Sequence, residues 1–270
     1  MKRILGNLII AVMVIVGIAA LGYPVLANMI SSFHHGKAIE EYQMTVEQYN
    51  AIQMQEERAK AETYNDGLNG QVAKDPFIEG SGYTLPENYL DCLDFNGIMG
   101  TLVIPKINVD LPIYHGTSDE VLRKGVGHIK ETSLPIGGDG SHAVLTSHSG
   151  LSDAKLFTDL NKLVEGDTFE IHVLGEVLYY KVNQIKVVEP NQTEELSRVP
   201  GKDYVTLLTC TPIGVNSHRL LVRGERYYPE ESVEESDTGI NMQYVALAVG
   251  MLVVTTTTLL IVNRFNKMKK

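Results

Sequence analysis

Cys210 closes the run Thr206-Leu207-Leu208-Thr209-Cys210 and is followed by Thr211-Pro212. A run of that texture reads as a strand that gives way to a loop at the cysteine, where a side chain is held firmly yet within reach of solvent. The next apolar run, from His218 to Arg223, reads as a second strand. If the two pair antiparallel across residues 211–217, Arg219 comes to lie beside Cys210. A guanidinium next to a thiol stabilises the thiolate, or the oxyanion formed when the thiolate attacks a carbonyl. Acyl transfer of this kind also needs a group that moves protons. His148, in Thr146-Ser147-His148-Ser149-Gly150, follows an apolar strand and can serve as acid to a leaving amine and base to an incoming one. The chain has eight histidines, and His115, His128 and His142 sit in similar places, so position alone selects none of them. No His-Glu-x-x-His and no close Cys/His set is present, which argues against a zinc centre. The other cysteine, Cys92 in "YLDCLDF", reads as a small buried hydrophobe.

The elements that must position these residues are short and β-rich. Strand-like runs occur at 98–104, 111–114, 143–147, 168–174, 177–188, 204–209 and 219–223, with Leu174-Gly175-Glu176-Val177 as a tight hairpin. A short helix is expected near 154–163. Strands so short and closely spaced predict an all-β barrel or sandwich. Before them, residues 36–64 carry Ile39, Tyr42, Val46 and Tyr49 at helical spacing, predicting one helix with a stop at Asn65-Asp66-Gly67. Residues 67–96 read as loop.

The charge is segregated. Residues 4–30 and 244–262 contain no Asp, Glu, Lys or Arg, and each is long enough to cross a bilayer core. Lys2 and Arg3 precede the first stretch, and Arg264, Lys267, Lys269 and Lys270 follow the second. By the positive-inside rule both termini are cytoplasmic, which places the middle outside the cell. Val25-Leu26-Ala27 offers a weak cleavage signal, so a removed signal peptide is the rival to a retained anchor. The formal net charge of −10 argues against a nucleic-acid partner. Two cysteines are too few for a disulfide scaffold.

Three stretches, "TLLTCTPIGVNSHRLLVRGER", "GVGHIKETSLPIGGDGSHAVLTSHSGL" and "GTLVIPKINVDLPIYHG", resemble the sortases, the cell-wall and pilus transpeptidases of Gram-positive bacteria. The resemblance runs from about residue 97 to 226. It implies a sortase-type β-barrel of about eight strands, with Cys210 as nucleophile, His148 as the family's histidine and Arg219 as its arginine. Asp75-Pro76-Phe77 ahead of the barrel and a second span after it resemble class C, the pilin polymerases. There an Asp-Pro-aromatic lid covers the site, which implies that Asp75 pairs with Arg219 and Phe77 lies over Cys210. The family's histidine motif usually reads Thr-Gly-His-Arg-Gly, and Ser147 and Ser149 depart from it here.

The layout expected is a span or signal anchor at 1–30, an extracellular helix and lid loop at 31–96, and a catalytic barrel at 97–228. A linker at 229–243, a transmembrane helix at 244–262 and a basic cytoplasmic tail at 263–270 follow. The implied substrates carry an LPxTG-like sorting signal, the implied acceptor is a Lys of another pilin, and no cofactor or calcium is implied. The alternatives are a housekeeping sortase that anchors proteins to peptidoglycan, and a non-catalytic receptor on the same barrel.

Overall fold

In a computed structural model, residues 2–68, 77 and 88–229 are described. The expected linker, second span and tail lie outside them, as does Asp75. Eight strands close into one barrel: β1 (Ile98–Ile104), β2 (Val109–His115), β3 (Val126–His128), β4 (Ser141–Thr146), β5 (Thr168–Val173), β6 (Glu176–Val188), β7 (Asp203–Thr211) and β8 (His218–Arg226). Their order around the barrel is β1-β2-β3-β4-β7-β8-β6-β5, and β5 returns to β1. The β2–β3 and β4–β7 pairs are parallel; the others are antiparallel.

The barrel follows from side-chain alternation. In β5 every second residue is buried, the period expected of a strand with one face on a core. Phe169 and Tyr180 stack in the interior at 5.5 Å, among Leu102, Ile113, Leu145, Leu207 and Val222. Gly224 makes room for them, since a Cβ there would lie 2.6 Å from the Phe169 ring. Leu174 and Gly175 both have positive φ, as a two-residue hairpin between right-twisted strands demands.

Two helices precede the barrel, divided differently from the expected span at 1–30 and helix over 36–64. The first, α1 (Lys2–Gln48), runs unbroken through Pro24. The second, α2 (Ala51–Gly67), starts at Asn50, whose Oδ1 accepts from the amides of Ile52 and Gln53. The Gln53 side chain accepts in return from the Asn50 amide at 3.0 Å, so a reciprocal cap divides the segment. The expected apolar face is the one that packs: Ile39 and Tyr42 are buried, and Tyr42 and Tyr49 meet Phe95 edge-on. Asn65, in the last turn of α2, is buried, with Oδ1 accepting from the Leu134 amide at 2.6 Å.

The first part of α1 is apolar enough and long enough to cross a membrane. Near the end of the uncharged stretch, the Asn28 Oδ1 accepts from the Lys155 amide at 2.9 Å. Around 154–163 only a single 3-10 turn forms, Leu160–Lys162, in place of the expected helix. Ala154, Leu156, Phe157 and Leu160 all turn inward from this short segment, more than one helical stripe would allow. A short helix α3 (Asp119–Lys124) and the three-residue β3 were not expected.

Candidate active site

The C-terminal end of β7 and the start of β8 form the rim of interest. Cys210 and Arg219 stand opposite each other in the antiparallel register, and both are largely buried. The Arg219 Nη1 donates to the carbonyls of His218 (3.1 Å) and Asn216 (3.0 Å). The loop between the strands therefore fixes the guanidinium.

His148 arrives from the neighbouring strand. It lies two residues past β4, which pairs parallel to β7, so both chains reach the same end of the barrel. Hydrogen bonds stitch the two ends together. The Thr209 hydroxyl donates to the Ser147 carbonyl at 2.7 Å, and the Thr146 hydroxyl donates to the Leu208 carbonyl at 3.1 Å. The serines that depart from the family motif belong to this stitching. Ser149 Oγ donates to the carbonyl of Cys210 itself at 2.7 Å, and Ser147 Oγ to the Gly125 carbonyl at 2.6 Å. Gly150 then turns the loop with φ of 76°, and a Cβ there would lie 2.4 Å from Ile213.

Phe77 joins the two polar partners. Its ring lies 5.1 Å from the Arg219 guanidinium carbon and 5.8 Å from the His148 ring. It also packs on the cluster of Ile129, Val144, Leu196, Leu208 and Leu221. A guanidinium over an aromatic face is attracted by the ring's negative face.

The rival histidines are occupied elsewhere. His128 is fully buried, with Nε2 donating to the Ser133 carbonyl (2.9 Å) and Nδ1 accepting from the Tyr89 hydroxyl (2.9 Å). Burial pushes its pKa down to about 3. His142 bonds the Ser197 carbonyl and the Thr206 hydroxyl, and burial lowers it to about 4. His115 bonds the Cys92 carbonyl at 2.8 Å. These three hold structure as neutral imidazoles, whereas His148 stands at the rim. Cys92 is buried beneath α2, its Sγ donating to the Asn88 carbonyl at 3.2 Å, and burial pushes its thiol up. One partner at the rim had no sequence signal: the Asp119 carboxylate accepts from His148 Nε2 at 3.3 Å.

Residues 102–227 match a family model described as "Sortase domain". Sortase C-1 from Actinomyces oris is 51% identical and aligns with 65% of this chain and 98% of its own, with a TM-score of 0.63. The pilus-related sortase C of Group B Streptococcus is 44% identical over 70% of this chain and 96% of its own, with a TM-score of 0.66. Sortase D of Bacillus subtilis is 31% identical over 47% of this chain. This chain spans 63% of that protein's length.

Proposed function

The chain belongs to the sortase family, and on that premise we propose that it is a membrane-anchored cysteine transpeptidase of the pilin-polymerising class. The observation that carries the reading is the rim itself. A thiol and a guanidinium face each other in register, with an aromatic ring lying across Arg219 and His148.

Cys210, as thiolate, attacks the Thr carbonyl of an LPxTG-like sorting signal, and a carbon–sulfur bond forms. Arg219 stabilises the oxyanion or positions the peptide. The carbon–nitrogen bond then breaks, the leaving amine takes a proton from His148, and a thioester remains. A Lys ε-amine of another pilin subunit gives its proton to His148 and attacks the thioester. An isopeptide bond forms and the thiolate departs. Asp75 and Phe77 act as a lid over Cys210, Asp75 by pairing with Arg219. The barrel works on the outer face of the membrane, held by α1 and by the span at 244–262, with both termini cytoplasmic.

The test supplies the full chain with a sorting peptide and two acceptors, a folded pilin bearing its Lys and a peptidoglycan-stem amine. Isopeptide product with the pilin alone supports the reading. Product with the stem amine alone assigns a housekeeping anchor enzyme instead. Peptide left uncleaved with both rejects transpeptidation.

A further inference from the structure

We propose that Asp119 is a positioning residue that orients His148 for proton transfer, an inference that rests on the role given to His148 above. Asp119 opens α3, in the crossover from β2 to β3. Because β3 and β4 run antiparallel, with Gly127 opposite Thr146, the start of β3 lies beside the end of β4. That topology carries residue 119 to residue 148 across 29 positions of sequence.

The carboxylate divides its two oxygens. Oδ1 accepts from His148 Nε2 at 3.3 Å, and Oδ2 accepts from Arg123 Nε at 2.9 Å. Arg123 sits one turn along the same helix, and the Ser118 hydroxyl caps that helix by accepting from the Val121 amide at 3.3 Å. The carboxylate, itself exposed, is thus oriented from the α3 side and meets the edge of the imidazole. Arg123 first, and then His148, hold the Asp119 carboxyl below its ordinary range, which favours its ionised form.

Two consequences follow for His148. With its proton on Nε2 and directed at Asp119, the neutral ring carries its lone pair on Nδ1. Nδ1 makes no hydrogen bond among the described residues. The tautomer is then set for Nδ1 to take and return the proton of the amine. Phe77 packs on the ring while Asp119 holds its edge, so removal of the aromatic contact leaves the Asp119 bond in place. Glu120, the next residue, pairs with Lys124 and makes no bond to His148. It carries the same charge on the same helix turn and serves as the control.

The full chain in detergent, with a sorting peptide and an amine acceptor, would be compared as wild type, Asp119→Asn, Asp119→Glu, Glu120→Gln and His148→Ala. Ring nitrogen shifts of histidine labelled with nitrogen-15 would be recorded alongside, with His148→Ala identifying the His148 signals. Positioning predicts that Asp119→Asn lowers kcat about tenfold, a part of what a placed acid–base group supplies, with KM within about twofold. The Nε2–H tautomer of His148 should lose population, Asp119→Glu should restore part of kcat, and Glu120→Gln should match wild type. The proposal is overturned if Asp119→Asn keeps wild-type kcat and an unchanged tautomer. It is equally overturned if only KM rises, or if Glu120→Gln loses as much. Full activity in His148→Ala would instead reject the role of His148, independently of Asp119.

Discussion

Cys210 and Arg219 are cross-strand partners on β7 and β8, and the guanidinium is held by the carbonyls of Asn216 in the loop between them and of His218 at the start of β8. The arginine is aimed before substrate arrives, so little reorganisation is needed when charge develops beside the thiol.

Arg219→Lys keeps the charge but loses the planar fork. Both carbonyl contacts come from Nη1, and a shorter, rounder ammonium cannot make them and face the site together. The rate of thioester formation should fall by roughly 10²–10³, as for loss of an oxyanion donor. Stopped-time mass spectrometry of the acyl-enzyme checks this. Near wild-type rates would mean that charge alone suffices.

Cys210→Ala should abolish the peptide adduct, while Cys92→Ala should leave it intact. Cys92 lies beneath α2 with its thiol pushed up by burial, so it is a poor nucleophile in a closed place. Intact-mass analysis with a sorting peptide reads the outcome. An adduct that survives in Cys210→Ala would move the nucleophile elsewhere.

Phe77→Ala removes a ring that spans Arg219 and His148. A contact of this kind is worth about 1–2 kcal/mol, which corresponds to roughly 5–30-fold in the open population. A small thiol reagent should therefore label Cys210 faster by about that factor, and adding Asp75→Ala should raise the rate further. Unchanged labelling would show that residue 77 does not gate the thiol.

Gly150→Ala should loosen the His148 loop. Its φ of 76° disfavours a side chain, and the new Cβ would meet Ile213 Cγ2 at 2.4 Å. The expected loss of stability is about 1–3 kcal/mol, with kcat reduced because the loop carries His148. Pairing it with Ile213→Ala should recover the part due to the clash but not the part due to φ. Denaturant unfolding of the single and double variants separates the two.

His128 and His142 make the barrel sensitive to acid. Burial holds them near 3 and 4, against about 6.5 in the unfolded chain. Between those values the unfolded state binds more protons, so stability rises with pH and is lost as pH falls below about 6.5. The slope approaches about 1.4 kcal/mol per pH unit for each group. Unfolding curves from pH 4.5 to 7.5 should show it, and His128→Gln should make the slope shallower. An equal slope in the variant would acquit His128.

Much of the barrel was legible because its strands alternate or end at clear turns. Ile98–Ile104 matches the expected run, and β6 differs from it only by including Glu176. The elements that escaped notice are those with too little pattern to read. Val126-Gly127-His128 is three residues with a glycine at its centre, and α3 offers only Val121 and Leu122 as apolar residues. Asn50 interrupts a continuous helical composition, so the division of α1 from α2 rests on a cap rather than on periodicity. At the site, the sequence-local pairing of Cys210 and Arg219 across one loop could be foreseen. The meeting of Asp119 with His148 could not, because it depends on which strands lie beside each other in the barrel.

The bond between Asn28 and the Lys155 amide bears on how the barrel is mounted. Asn28 lies within the uncharged stretch, and α1 continues from it without a break to Tyr42, buried against the barrel, about 20 Å further along the helix axis. A domain on a slack tether sweeps a hemisphere and tumbles as it does so. A domain mounted along a rigid helix keeps one face turned to the bilayer and one height above it. The Phe157 amide bonds the His148 carbonyl, and Lys155 stands two residues away, so that mounting extends to the rim that carries His148. Where α1 crosses the membrane, encounter with a partner held in the same membrane becomes a search in two dimensions, in which the rim's orientation is set before the collision.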